Sequence, residues 1–97
     1  MNRNEAINVL QSYADAIKAR GATSLYLFGS SARDSAGADS DLDLFVDYDT
    51  EKFSLVDLVD IKLYLEDRLG IAVDVTTRDS LHPMLRRGIE TSAIRVF

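Results

Sequence analysis

The 97-residue chain has no cysteine. That absence excludes disulfides, thiolate zinc sites and cysteine nucleophiles together. It also fits a reducing compartment, and a cytoplasmic location is the expectation. A lone histidine, His82, argues against a histidine-ligated metal and against a Ser-His-Asp hydrolase. Long apolar runs are missing too. No stretch approaches the roughly 20 residues of a transmembrane helix. Met1-Asn2-Arg3-Asn4-Glu5 has no apolar run behind its charge of the kind a secretory signal carries. Positive charge is scarce: 11 Lys and Arg against 16 Asp and Glu leave a net charge of −5. Phosphate backbones recruit Lys and Arg, so no direct nucleic-acid partner and no membrane partner is expected. An acidic chain still binds a nucleotide when divalent metal offsets its carboxylates. Its surface equally suits a basic protein partner.

What remains is an ordinary globular composition, 46% hydrophobic, and one domain over residues 1–97 is the expectation. Such a length is near the low end of what buries a self-sufficient core. Ile7, Leu10, Ala14 and Ile17 recur at helical spacing and predict a helix over about 4–20, capped by Asn4 and stopped by Gly21. Residues 24–28 form a short apolar run bounded by glycine, a buried strand by pattern, and 30–35 suit one or two helical turns. Residues 41–47 alternate as a second strand. Leu58, Ile61, Leu65 and Leu69 stripe a helix over 54–69 that Gly70 ends. A third strand over 71–76 points Ile71, Val73 and Val75 one way and Ala72, Asp74 and Thr76 the other. A last helix starts near Ser80 with Pro83 in its first turn and His82 capping it, and it is expected to bury Leu81, Leu85 and Ile89. Residues 93–97 alternate weakly, as an edge strand would. Arg78, Arg86, Arg87 and Arg95 read as a solvated basic face, and Asp47 as part of a solvated acidic rim. The fold class that follows is α/β (α+β), a small mixed sheet flanked by helices, with the strand order left open.

The chemistry concentrates in residues 27–46. Asp41 and Asp43 alternate on a strand and so share a face, roughly 7 Å apart, while Leu42, Leu44 and Val46 point into a core. Two carboxylates so placed repel one another unless a cation sits between them. Asp74, on another strand and opposite an apolar face, is positioned to join them. Gly29 and Ser30 form a strand-to-helix turn that offers backbone N–H groups and a hydroxyl to a phosphate. Each signal has a plainer alternative. The acids suit a solvent-facing sheet, the Gly-Ser pair suits a serine-capped turn, and Arg33 and Ser40 suit a salt bridge and a turn cap. Metal with phosphate is the combination that nucleotidyl transfer uses.

Gly29-Ser30, Arg33 and Ser40-Asp41-Leu42-Asp43, followed by Asp74 on a later strand, resemble the signature of the DNA polymerase β-type nucleotidyltransferases. With Ala32-Arg33 and Asp74-Val75 ahead of Leu81-His82-Pro83, the chain is most similar to the minimal nucleotidyltransferases, many of which are antitoxins paired with HEPN-domain toxins. Asp34 stands where that family has glycine. The resemblance implies Asp41, Asp43 and Asp74 as catalytic residues and ligands of Mg2+, two ions in all. It implies Gly29, Ser30, Arg33 and Ser40 as phosphate-binding residues and ATP as substrate. It further implies transfer of AMP to a tyrosine of a HEPN ribonuclease toxin. A non-catalytic antitoxin, or a nucleotide-binding module that acts by complex formation, stands as the alternative.

Overall fold

A computed structural model describes residues 2–29, residue 32 and residues 41–97. Helix α1 covers Arg3–Ser12, and its N-cap is Asn2, whose side-chain oxygen accepts from the Glu5 N–H at 2.9 Å. The helical stretch expected over 4–20 breaks at Tyr13. There the Tyr13 N–H bonds the Leu10 carbonyl at 3.1 Å, three residues back, and a second helix, α2, takes over at Ala14–Ala19. The break swings the Tyr13 ring edge-on to Tyr64, with centroids 5.7 Å apart. Neither Gly nor Pro marks this position.

Strand β1 spans Ala22–Phe28 and β2 spans Leu42–Tyr48. Helix α3, Leu55–Leu69, opens on Ser54, whose N–H bonds the Asp57 carboxylate at 2.9 Å in a capping box. It closes on Gly70 in the left-handed region at φ 70°. Strand β3 is Val73–Thr77, shorter than the expected 71–76 at its start because Gly70 delays re-entry into the sheet. A 3-10 turn at Arg78–Ser80 leads to α4, Pro83–Ser92, and then to a two-residue strand β4, Ile94–Arg95, within the tail expected at the edge.

The sheet order is β3-β2-β1-β4. Strand β1 runs antiparallel to both β2 and β4, whereas β2 and β3 are parallel, as a helical crossover requires. This is the small mixed sheet that the alternating pattern called for. One face carries the main core: Leu25 and Leu27 of β1, Leu42, Leu44 and Val46 of β2, and Val73 and Val75 of β3 meet Leu10, Ile17, Ile61 and Leu65 of the helices. The opposite face holds the acids, and it is not uniformly polar. Phe45 projects there between Asp43 and Asp47, yet it is fully buried. Tyr26 stacks on it at 4.7 Å and Phe28 leans on it at 5.7 Å.

Arg78 closes this second, smaller apolar layer. Its guanidinium lies over the Tyr26 and Phe45 rings at 4.8 and 5.1 Å. It grips Asp47 through two bonds of 2.7 and 3.0 Å and reaches Glu90 of α4 at 2.7 Å. Arg78 and Asp47 are therefore structural partners, not members of a solvated face and rim. Arg86 also pairs with Glu90, at 3.2 Å. Helix α4 sits on this face along β1, away from the main core, which is why Leu85 is 60% exposed and Ile89 only half-buried. Of the three residues expected to be buried around it, Leu81 alone is, and it precedes the helix.

Candidate active site

The strand register brings the predicted acids together. Along β2, Asp43 lies opposite Phe28 of β1 on one side and opposite Asp74 of β3 on the other. Asp41 immediately precedes β2 and is two residues from Asp43, on the same face. Asp41 and Asp74 are exposed at its surface and Asp43 is half-buried between them. Burial pushes the Asp43 carboxyl above the ordinary carboxylate value, and the neighbouring charges of Asp74 and then Asp41 push it further.

Gly29 completes the cradle. It follows β1 with φ at +70°, and a Cβ at this position would stand 2.6 Å from Oδ2 of Asp43. Any side chain here would be strained by the backbone and would collide with the carboxylate. The positive φ favours glycine here, and a side chain would also have to displace the Asp43 carboxylate that the turn approaches. Ala32, farther on, is buried in the main core. Ser30, Arg33 and Ser40 lie outside the described residues.

The residues suit one kind of metal occupancy and not another. Among the described residues, no three Asp, Glu, His or Cys side chains group closely enough to hold an ion by themselves. The donors on offer are carboxylate oxygens, and Asp43 carries a like-charge penalty that a divalent cation would remove. Magnesium takes one or two carboxylates and completes its shell with water and substrate phosphates. The site therefore fits magnesium delivered with a nucleotide better than a resident, protein-caged ion.

Two contributors escaped the sequence reading. Phe28 is the register partner of Asp43 and packs on Phe45, so it sets the floor beside the acid. Arg78 clamps that floor from above. Phe45, a hydrophobic residue on the polar face of β2 against which Phe28 packs, is the visible signal for the first. The second has no local signature.

Comparison with known proteins gives this arrangement its place. The model of the nucleotidyltransferase domain family matches residues 10–96. A candidate protein adenylyltransferase of Methanocaldococcus jannaschii is 40% identical over 74 residues, covering 75% of this chain and 74% of its own. The protein adenylyltransferase MntA of Thermococcus cleftensis is 33% identical over 92 residues, 94% of this chain and 88% of its own. Among solved structures, a candidate minimal nucleotidyltransferase superimposes with a TM-score of 0.84 at 35% identity, covering 97% of this chain and 95% of that one. A toxin–antitoxin structure with AMP-PNP shares the fold at a TM-score of 0.70 and 20% identity, covering all of this chain and 73% of that one. The chain belongs to the nucleotidyltransferase domain family, among its minimal nucleotidyltransferases, and is a nucleotidyltransferase enzyme.

Proposed function

We propose that this protein transfers AMP from ATP to a tyrosine hydroxyl of a partner HEPN ribonuclease toxin, and so acts as its antitoxin in the cytoplasm. The observation that carries the reading is the register that sets Asp43 between Gly29 and Asp74. The names of the adenylyltransferase relatives and the toxin–antitoxin complex among the structural neighbours support the acceptor class. Residues 1–97 act as one catalytic domain, and the acceptor is a docked protein.

In this mechanism Gly29 and Ser30 receive the triphosphate tail on backbone N–H groups, with Arg33 and Ser40 beside it. Asp41 and Asp43 would hold the magnesium that arrives with the nucleotide, with Asp74 as the third ligand. Bound there, magnesium supplies Lewis-acid charge to the phosphate oxygens and favours ionisation of the attacking hydroxyl. Asp74 orients that hydroxyl and accepts its proton. The tyrosine oxygen bonds to the α-phosphorus while the bond from that phosphorus to the bridging oxygen breaks, and pyrophosphate departs toward Gly29.

A second reading has an observation of its own. Leu55, Val56, Val59 and Leu63 leave an apolar stripe exposed on α3, so inhibition by complex formation alone is the competing account. Intact-mass analysis of a mixture of this protein, the toxin and Mg·ATP separates the two. A toxin heavier by whole AMP units, unmodified when Asp43→Asn replaces the wild type, supports transfer. An unmodified toxin in a stable complex refutes it.

A further inference from the structure

We propose that the cavity between β1 and α4 receives the base of the donor nucleotide, and that Gly88 is bare in order to admit a flat ring. The inference rests on the donor being a nucleoside triphosphate, as above, and adds where its base goes. The cavity measures about 390 Å³ and is lined by Phe28, Gly29, Leu85, Gly88, Ile89 and Ser92. That volume is within the range of small-molecule pockets, roughly 300–1,000 Å³. Its walls are mostly apolar: an aromatic ring on the strand side, and Leu85 and Ile89 on the helix side. A planar heterocycle finds stacking and apolar contact there, without a charge to desolvate.

The position of the cavity decides between donor and acceptor. Gly29 belongs both to the cavity lining and to the close approach on Asp43, so a ligand with phosphates at Gly29 has its remaining parts within reach of the pocket. Asp74, which orients the acceptor in the proposed reaction, lies on the β3 side of Asp43. Phe28 and the cavity lie on the β1 side. Acceptor and cavity therefore occupy opposite flanks of the central acid.

Gly88 is the independent observation. It sits inside α4, where glycine weakens a helix relative to alanine. Its backbone is ordinary helix, and a Cβ built on it meets no atom of the described residues within 4 Å. Neither a turn nor packing among those residues requires glycine here. What the missing side chain leaves open is the floor of the cavity. Leu85, 60% exposed one helical turn earlier, borders the same space.

Calorimetric titration with Mg·ATP and, separately, Mg·tripolyphosphate tests the assignment, because the second probe has phosphates but neither base nor sugar. Gly88→Leu and Gly88→Ala both favour the helix, so thermal unfolding will report folded proteins. Gly88→Leu is expected to weaken ATP about tenfold or more while leaving tripolyphosphate within about twofold, with Gly88→Ala between. ATP binding unchanged in Gly88→Leu overturns the inference and leaves the donor reading standing. So does unchanged ATP binding with lost AMP transfer, which would make the cavity an acceptor site. Equal weakening of both probes overturns it as well. A wild-type protein that binds neither probe overturns the donor reading and this inference with it.

Discussion

Replacing Asp43 by asparagine should stabilise the protein while destroying its activity. The substitution is isosteric, so Gly29 keeps its approach, and the charge alone is removed. In the native protein that charge is disfavoured by burial and by Asp74 and Asp41, which together raise the Asp43 carboxyl from its ordinary value of 3.8. The carboxylate is only half-buried, so solvent screening reduces the gain to about 0.5–1 kcal/mol. For a chain of this size each kcal/mol moves the midpoint by about 4–8 °C, and the expected rise is about 2–8 °C. The pH dependence has a defined sign. A carboxyl whose folded value is raised costs stability above that value and costs nothing once protonated in both states. The advantage of Asp43→Asn is therefore complete at neutral pH and disappears as pH falls through the raised value and below 3.8. Thermal unfolding of both proteins from pH 7 to 3 measures it. Mg·ATP should narrow the gap by stabilising the wild type alone. An asparagine variant that melts lower than wild type at pH 7 would refute the reasoning, since it would make Asp43 a structural acid.

Gly29→Ala should cost about 1–3 kcal/mol, from a non-glycine residue held at positive φ and a methyl forced against Asp43, with AMP transfer lost beyond what the unfolding accounts for. Chemical denaturation and transfer assays on the same preparation check both parts. Phe45→Ala should cost about 3–5 kcal/mol although its neighbours along the strand are acids, a loss readable by denaturant midpoint. Glu66 is held below the ordinary carboxylate value of 4.5 by the Val73 N–H and then Lys62, and Glu90 by Arg78. Their stabilising effect is present above pH 4.5 and lost as pH falls through their own lower values, so Glu66→Gln and Glu90→Gln should each flatten acid unfolding.

Much of this was legible because the strands are short and strongly patterned. Leu42, Leu44 and Val46 alternate with Asp41 and Asp43, and that alternation alone assigns the acids to one face. The adjacency of Asp74 is different in kind. It depends on β3 joining β2 in parallel at one register, which no local pattern encodes. The last helix misled for a related reason. Its apolar positions fit a buried stripe, but the sheet face it lies on was already occupied by Phe45 under Arg78, so Leu85 and Met84 were left outside, Met84 at 87% exposure. Arg78 itself resembles any strand-end arginine until Asp47 and Glu90 are seen to converge on it.

The parallel pairing of β2 with β3 has a kinetic meaning. Strands β1 and β2 meet as antiparallel neighbours in sequence, whereas β3 arrives only after the whole of α3 has been laid across the sheet. Pairings that close long segments of chain form late, because the entropy of closure comes before the reward. Gly29 and Asp43 are thus assembled by the early hairpin, and Asp74 by the late crossover. A newly made chain should acquire a place for phosphates before it acquires the group that readies an acceptor. In refolding experiments nucleotide binding should then return ahead of transfer, and their simultaneous return would disprove the order. A half-folded molecule would hold its donor without being able to use it.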